Sequence, residues 1–214
     1  MHSIRAHSPF TEDWARRANS PRYNFQLSTL NFQLNHDLCP VEQRPAFEDI
    51  FMELAWNLAK RSHCVKRQVG AVLTRDTRII SVGYNGPPAG THNCDEEFPT
   101  TGCAVDRKGS CSLAIHAEEN AILYAAKNGT SVEGASLYVT LSPCLACARI
   151  IYSMGIKKVV YLHSYARYKG LQLDEGIDFL ARFGVEVAEY KGRLAHLYPD
   201  PHSVGPPAVS AQTP

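Results

Sequence analysis

The segments His116-Ala117-Glu118 and Pro143-Cys144-Leu145-Ala146-Cys147 are the most informative stretches of this 214-residue chain. Each lies at the start of a predicted helix, and one predicted strand separates the two helices. His116, Cys144 and Cys147 are side chains of the kinds that bind zinc, and three protein ligands leave a fourth position for water, as in catalytic sites. Glu118 is left without a ligand role, so we expect it to move protons.

The predicted helix starts also suit the two cysteines chemically. Unpaired N–H groups and the helix dipole favour a thiolate at this position, which prepares Cys144 and Cys147 to bind metal. Taken singly the signals are weak, since a lone H-x-E is common and a lone C-x-x-C is often a redox or structural pair. Together they favour a catalytic zinc. The alternative is a structural zinc with four protein ligands, which would leave Glu118 unexplained.

Composition excludes several classes of function. Lys and Arg number 22 against 21 Asp and Glu, so no basic field indicates a nucleic-acid polymer as partner. No apolar run reaches the ~20 residues of a membrane span, and the first residues do not resemble a signal peptide. We therefore expect a cytoplasmic protein without membrane contact, in which clustered cysteines more often bind metal than form disulfides. As an alternative, a small buried side chain is an adequate explanation for Cys39 and a possible one for others, but a poor one for Cys144 and Cys147.

The chain is long enough for one ordinary domain with tails. Residues 1–45 are rich in Asn, Gln, Ser and Arg and lack sustained periodicity, which predicts a disordered N-terminal tail. A second, Pro-rich disordered tail is predicted over residues 194–214. The functional domain is therefore expected to span residues 46–193.

Within that domain, predicted helices and strands alternate. Apolar residues at helical spacing predict helices, and short apolar runs between turn residues predict strands. The helices are expected over 46–62, 116–128, 144–154 and 173–183, and the strands over 70–73, 78–84, 135–141, 156–162 and 185–189. This order predicts an α/β fold with a mixed or parallel sheet covered on both faces.

A segment rich in glycine, proline and cysteine, residues 86–113, interrupts the alternation. Connections of that length inside a compact domain are normally functional or tied down. Three cysteines lie in the segment and a fourth follows the first helix, which predicts a structural zinc held by Cys64, Cys94, Cys103 and Cys111. His92 is a substitute ligand, and the alternative is a set of loop cysteines without metal.

Several longer stretches of the sequence, together with the two zinc segments, resemble a known family. Histidine-x-glutamate followed by Pro-Cys-x-x-Cys is the established signature of the zinc nucleobase deaminases. Over about residues 48–190 the chain resembles the deoxycytidylate (dCMP) deaminase branch of the cytidine deaminase-like superfamily. The matching stretches are 67–72, 83–90, 116–123, 138–144 and 155–161. The two zinc segments alone indicate only the superfamily, whereas GYNGPPAG at 83–90 and the cysteine-bearing insert favour the dCMP branch.

The resemblance implies a three-layer α/β/α fold around a mixed five-stranded sheet. It also implies hydrolytic deamination of dCMP to dUMP and ammonia, which supplies thymidylate synthesis. Water would attack C4 of cytosine while Glu118 protonates N3 and then the leaving amine. Substrate contacts are implied at Asn85, Arg67, Ala117 and Tyr165. From sequence alone, Asn85 is better explained as a turn residue, and Tyr165 is as readily a buried tyrosine.

The 5′-phosphate of such a substrate requires cationic or N–H donors. Lys66, Arg67, Arg167 and Lys169 lie near the matching stretches, although each is also explained as solvated surface charge. The resemblance further implies a homo-oligomer, specifically a hexamer, with dCTP as activator and dTTP as inhibitor. The loop at 83–90 is associated with the regulatory nucleotide, which we expect Mg²⁺ to accompany.

Two other functions remain open from the sequence. One is deamination of another base, as in tRNA adenosine, guanine or riboflavin-precursor deaminases. An RNA-editing member should have a basic surface, which the balanced charge disfavours. The other is a zinc-stabilised binding module that has lost catalysis, in which Glu118 would have no purpose. Zinc content and ammonia release on a panel of nucleosides and nucleotides would separate the three.

Overall fold

A computed structural model describes residues 44–99, 103–104, 111–166, 174–192 and 195–197 of the chain. The helices are α1 (Phe47–Ala59), α2 (Cys94–Glu97), α3 (Ala117–Lys127), α4 (Leu145–Ser153) and α5 (Glu175–Arg182). The strands are β1 (Gly70–Arg75), β2 (Arg78–Tyr84), β3 (Ser136–Leu141), β4 (Lys158–His163) and β5 (Glu186–Glu189). None of the helices in this part of the chain is long and apolar enough to cross a membrane.

The strands form one mixed sheet in the order β2-β1-β3-β4-β5. Strand β1 pairs antiparallel with β2 and with β3, while β3 and β5 both run parallel to β4. Parallel neighbours need a crossover, and α4 and α5 lie in the two connections between them. The predicted α/β class and the mixed five-stranded sheet are confirmed.

Helices cover both faces of the sheet because side chains alternate along its buried strands. Leu73 and Leu137 belong to a core shared with α3, α4 and α5. Their neighbours Val72 and Tyr138 belong to a second core shared with α1. The result is the three-layer α/β/α arrangement that the family resemblance implies.

Two glycines bring helices close to the sheet. A Cβ on Gly70 of β1 would overlap the α1 backbone, and a Cβ on Gly83 of β2 would overlap the α3 backbone at the Ala117 carbonyl. Only glycine permits backbones to approach this closely. Gly83 therefore sets the position of α3, which has His116 and Glu118 at its start.

The observed helices and strands begin and end within a few residues of the predicted positions. In the long 86–113 segment, the described part contains α2, where the Asn93 N–H donates to the Glu96 carboxylate at 3.0 Å. Most of the two predicted tails lies outside the described residues. Three residues of the predicted C-terminal tail, Ala195–Leu197, form a 3₁₀ turn.

Candidate metal centre

His116, Cys144 and Cys147 come together where α3 and α4 begin. His116 is the N-cap residue of α3, Cys144 is the N-cap residue of α4, and Cys147 lies in the first turn of α4. His116 Nδ1 lies 3.3 Å from Cys147 Sγ and 3.6 Å from Cys144 Sγ. The three ligand atoms all lie within 4.8 Å of one another. In the described part of the chain, no other three side chains of His, Cys, Asp or Glu are found as close together.

The local fold explains why the cysteine half of this centre is well placed. Within the described residues, no side chain caps α3 or α4, so the first-turn N–H groups and the helix dipoles contribute positive potential there. Backbone hydrogen bonding at Cys147 lowers the pKa of the Cys144 thiol, which is an instance of this effect. A Cβ on Gly176 would overlap the Pro143 carbonyl, so glycine lets α5 pack directly on the residue before Cys144.

Hydrogen bonds distinguish the two thiols. Hydrogen bonding from Cys147, joined by a hydrogen bond from His116, lowers the pKa of Cys144 to about 3. The same pairing with Cys144, together with burial, raises the pKa of Cys147. The hydrogen bond to Cys144 raises the pKa of His116 to about 9. Zinc binds cysteine as thiolate and histidine as neutral imidazole, so metal binding would release protons from this centre.

This donor set fits zinc. Two sulfurs and one imidazole nitrogen are ligands that Zn²⁺ takes in tetrahedral sites, and three protein ligands are the number found in catalytic sites. A structural site needs a fourth protein ligand, and the described part of the chain adds no further His, Cys, Asp or Glu to the group. Cys147 is buried whereas His116 is exposed, so the open side of the centre is accessible to a small molecule.

Glu118 is the carboxylate beside this group. It lies in the first turn of α3, where its side chain is 4% exposed. Burial raises the pKa of Glu118 to about 7, against the opposing effect of the positive charge on His116. A carboxyl group that titrates near neutral pH can both accept and release a proton, which is what general acid–base catalysis requires.

The side chain of Asn85, a predicted substrate contact, makes hydrogen bonds within the fold. Its Oδ1 accepts from the Val69 N–H at 2.8 Å, and its Nδ2 donates to the Arg67 carbonyl at 2.9 Å. The Ser62 hydroxyl donates to the Asn85 carbonyl at 2.7 Å. Asn85 therefore holds the segment 67–69 against the end of β2, and its contact with substrate stays a prediction.

Arg67 and Tyr165, two further predicted contacts, lie against each other. The guanidinium carbon of Arg67 is 4.9 Å from the centre of the Tyr165 ring, a cation–π distance, and both side chains are half-buried. A cavity of about 340 Å³ adjoins Arg67 and is also lined by Trp56, Lys60, Cys64, Lys66 and Gln68. Its walls come from α1 and the segment that follows, so the cavity and the metal centre are formed by different elements.

The positions of the other predicted substrate and phosphate contacts say less about nucleotide binding. Ala117 is fully buried, with its carbonyl packed at Gly83. Lys66 is exposed at the rim of the cavity beside Arg67. The other two candidate phosphate ligands, Arg167 and Lys169, lie outside the described residues. The structure therefore brings together Arg67 and Tyr165, and the contact of Ala117 with substrate stays a prediction.

Four other cysteines, here called the loop cysteine group, are Cys64, Cys94, Cys103 and Cys111. Cys94 and Cys103 are buried, Cys64 is half-buried and Cys111 is exposed. Burial raises the pKa of Cys94, and the other three thiols raise it further, so the four sulfurs share one neighbourhood. Among the described residues, no three of these sulfurs approach one another as closely as the ligands of the metal centre do.

Sequence reasoning missed a hydrogen-bond network next to Cys144. The Asp174 carboxylate accepts hydrogen bonds from the hydroxyls of Ser142 at 2.5 Å and Ser164 at 3.2 Å. Ser142 Oγ in turn accepts from the Tyr165 N–H at 2.7 Å. The available signal was an aspartate at the start of a predicted helix. That signal indicates a helix cap and gives no indication of contacts with distant loops.

Comparison with known proteins relates this centre to a family. The sequence model described as the cytidine and deoxycytidylate deaminase zinc-binding region matches residues 46–163, which include all three candidate ligands and Glu118. The fold and the metal centre are thus those of a zinc-dependent deaminase. The chain belongs to the cytidine and deoxycytidylate deaminase family.

Several relatives are deoxycytidylate deaminases. That of Enterobacteria phage T2 is 37% identical over 169 residues, which cover 64% of this chain and 88% of that protein. That of Schizosaccharomyces pombe is 44% identical over 135 residues, covering 60% of this chain but only 40% of that protein. The crystal structure of dCMP deaminase from the cyanophage S-TIM5, in complex with dCMP and dUMP, aligns with a TM-score of 0.57 at 33% identity. That alignment covers 69% of this chain and 98% of the cyanophage chain.

Proposed function

We propose that this protein hydrolyses dCMP to dUMP and ammonia, and that the reaction supplies thymidylate synthesis. The observation that carries the proposal is the convergence of His116, Cys144 and Cys147 beside the buried carboxylate of Glu118. The choice of dCMP is supported by similarity to deoxycytidylate deaminases and to a solved relative in complex with dCMP and dUMP.

In this proposal His116, Cys144 and Cys147 hold a zinc ion, which supplies Lewis acidity when bound. Glu118 accepts a proton from the attacking water as the water oxygen bonds to C4 of cytosine. It gives that proton to N3, then carries the proton of the new hydroxyl group to the leaving amine. The C4–N4 bond breaks, and ammonia and dUMP are the products. Since burial raises the pKa of Glu118 to about 7, the same group can perform both transfers near neutral pH.

The nucleotide is proposed to bind near Arg67 and Tyr165. The Tyr165 ring offers a face for the base or sugar, and the charge of Arg67 suits a phosphate, with Lys66 beside it. Asn85 supports this region by holding the backbone of segment 67–69, besides any contact of its own. Ala117, at the start of α3 next to Glu118, is proposed to contact the substrate, as the family resemblance implies.

A substrate panel tests the proposal directly. Ammonia release is measured with dCMP, dCTP, CMP, deoxycytidine, adenosine and guanine, using zinc-loaded protein and the Glu118→Gln variant as background. We expect dCMP to have the highest kcat/KM. Deamination of another base without dCMP turnover would overturn the substrate assignment. Full zinc content with no ammonia release from any compound would instead identify a zinc-stabilised binding module.

The loop cysteine group is proposed to hold a second, structural zinc. Support comes from the shared neighbourhood of the four sulfurs and from a contact between His63 Nδ1 and the Asp95 carboxylate at 3.0 Å. This contact joins the segment that carries Cys64 to α2, which begins at Cys94. Structural zinc takes four protein ligands, so the sulfurs would have to draw closer on binding. The exposed His92 is the alternative fourth ligand.

Assembly and regulation are proposed from the family resemblance. The deaminase domain would span 46–193, form a homo-oligomer, specifically a hexamer, and respond to dCTP and dTTP with Mg²⁺ on the regulatory nucleotide. The cytoplasm is the proposed compartment, supported by the six cysteines in the described part of the chain, all of which are free. Light scattering and turnover with and without dCTP, dTTP and Mg²⁺ test the oligomer and its effectors.

A further inference from the structure

The Asp174 carboxylate collects hydrogen bonds from two connecting loops, one at Ser142 and the other at residues 164–166, where helical backbone begins at Tyr165. Its Oδ2 accepts from Ser142 Oγ at 2.5 Å, from Ser164 Oγ at 3.2 Å and from the Ala166 N–H at 3.4 Å. Ser142 Oγ itself accepts from the Tyr165 N–H at 2.7 Å, while its own proton goes to Asp174. A single carboxylate oxygen therefore holds a side chain on each loop and, at Ala166, the main chain of the second.

Capping of its own helix, α5, does not account for the hydrogen bonds of Asp174. Asp174 is the N-cap residue of α5, where an aspartate normally accepts a hydrogen bond from an N–H of its own helix. Within the described residues it makes no such bond. Its carboxylate instead contacts Ser142, whose side chain is 2% exposed, and serves donors outside the helix. The hydrogen-bonding capacity of Asp174 is thus directed at the loops.

Both loops carry side chains of the site described above. Ser142 lies two residues before the zinc ligand Cys144. The other loop carries Tyr165, whose ring contacts Arg67. The two loops are also joined at their base, where the Ser142 N–H donates to the His163 carbonyl at 2.8 Å. The network therefore connects the metal centre with the region assigned to the nucleotide.

We infer that Asp174 is a positioning residue that fixes Tyr165 relative to Cys144 and so aligns bound nucleotide with the metal centre. Asp174 acts through Ser142 and through the backbone of residues 164–166. Correct alignment matters because a displacement of about 1 Å can cost on the order of 10²-fold in rate. The inference rests on the proposed function, since it presumes that a nucleotide lies between Tyr165 and the metal ligands.

The test compares Asp174→Ala with Glu175→Gln in the full-length, zinc-loaded protein. The first variant removes the acceptor of three donors, and the second removes the neighbouring exposed charge at the same helix start. For Asp174→Ala we expect kcat/KM on dCMP to fall about 10- to 100-fold, with a several-fold rise in KM and unchanged zinc content. Asp174→Asn keeps one acceptor oxygen and should recover part of the loss. Glu175→Gln should stay within about twofold of wild type.

Hydrogen exchange supplies a readout that does not depend on turnover. The N–H groups of Tyr165 and Ala166 are held by Ser142 and Asp174, so both should exchange about tenfold faster in Asp174→Ala, while α3 keeps its protection. Unchanged exchange at these two amides together with an unchanged KM would overturn the inference. Loss of zinc in proportion to activity would overturn it as well, because Asp174 would then serve only the integrity of the metal centre.

Wild-type turnover of dCMP is measured in the same experiment. If the wild type releases no ammonia from dCMP, the proposed function fails, while exchange at Tyr165 and Ala166 still decides whether Asp174 orders their loop. If Asp174→Ala does not fold, Ser142→Ala replaces it, because that change removes the acceptor of the Tyr165 N–H. For Ser142→Ala we expect the same fall in kcat/KM with faster exchange at Tyr165 alone, because the Ala166 N–H keeps its acceptor on Asp174. Unchanged exchange at Tyr165 together with an unchanged KM would overturn the inference.

Discussion

The metal centre and the loop cysteine group both gather cysteines, but the fold prepares them differently. His116 and Cys144 begin helices whose buried faces pack in the main core, and the ligand atoms of this centre lie within 4.8 Å of one another. Cys94 begins a helix of only four residues, and Cys103 and Cys111 lie beside stretches outside the described part. The hydrophobic core thus assembles the first site in advance, whereas the structural zinc site proposed at the loop cysteine group would need its metal to be completed.

This difference matches the two roles that zinc has in proteins. A catalytic ion must sit in a geometry that the fold has already set, because reaction rates depend steeply on the placement of reacting groups. A structural ion can instead contribute its binding free energy to ordering the chain around it. Removal of a ligand should therefore abolish catalysis with little loss of stability at the metal centre, and should lower stability more than catalysis at the loop cysteine group.

The largest effect is expected at the metal centre itself. Cys144→Ser and Cys147→Ser should lose the catalytic zinc and all measurable deamination, because two remaining ligands cannot replace a three-ligand site. Both proteins should remain folded, since Ala148 and Ile151, the other core residues of α4, keep their contacts. Metal analysis, ammonia release and circular dichroism measure the three quantities.

The matched control for these variants is Cys111→Ser, which changes an exposed thiol of the loop cysteine group. It should keep the catalytic zinc and most of the turnover. Full zinc occupancy and activity in both Cys144→Ser and Cys147→Ser would contradict the assignment of the centre.

The next largest effect separates proton transfer from metal binding. Glu118→Gln preserves shape but removes the titratable group, so we expect unchanged zinc content and a rate lower by about 10²–10⁴-fold. Glu119→Gln, in the same helical turn, is the control and should remain close to wild type. The measurements are metal content and single-turnover deamination. A Glu118→Gln rate within roughly tenfold of wild type would rule out Glu118 as the general acid–base.

Removal of metal from the loop cysteine group should lower stability more than it lowers catalysis. Purified protein should contain two zincs per chain, and Cys94→Ser should contain one. At a zinc concentration about 100-fold above Kd, binding adds about 2.7 kcal/mol to the free energy of unfolding, which Cys94→Ser should lose. Denaturant unfolding with and without a chelator measures this difference.

Cys144→Ser is the control for the stability measurement, because it removes the catalytic ligand and leaves the loop cysteine group intact. Its unfolding should remain sensitive to chelator, whereas that of Cys94→Ser should not. One zinc per chain in stable, active wild-type protein would exclude the second site.

Asn85→Ala should have a smaller effect, and it distinguishes support of the fold from contact with substrate. The change leaves the Val69 N–H and the Arg67 carbonyl without their partner, at a cost of about 2 kcal/mol. Chemical denaturation measures the cost, and Asn128→Ala, which removes one exposed hydrogen bond, is the control. Unchanged stability with a raised KM would show that Asn85 acts chiefly on the substrate.

The sequence allowed the fold and the three candidate zinc ligands to be predicted because their signals are local. Helical periodicity and short apolar runs report the alternating elements directly. His116 and Cys144 could be placed at helix starts because each directly precedes a periodic segment. The segment 86–113 offered no periodicity, so its cysteines could be grouped only by elimination.

The positioning network could not be predicted from the sequence for the opposite reason. Ser142 and Asp174 are 32 residues apart, and their contact depends on how α5 packs after β4. Asn85 illustrates the same limit, because its dipeptide indicates a turn whereas its amide binds the backbone of segment 67–69. Such contacts arise from tertiary packing, and local patterns in a single sequence carry no information about it.

The smallest effect is expected at Ser62, which joins the end of β2 at Asn85 to the segment that carries Cys64. Its hydroxyl donates to the Asn85 carbonyl at 2.7 Å and accepts from the Cys64 N–H at 3.2 Å. Ser62→Ala should cost about 1 kcal/mol in unfolding free energy. Zinc titration should show weaker binding at the loop cysteine group and unchanged occupancy at the His116 centre, because Cys64 is the one proposed zinc ligand that loses a hydrogen bond to Ser62. Ser153→Ala, at an exposed hydroxyl, is the control. Equal weakening at both sites would mean that they are not assembled independently.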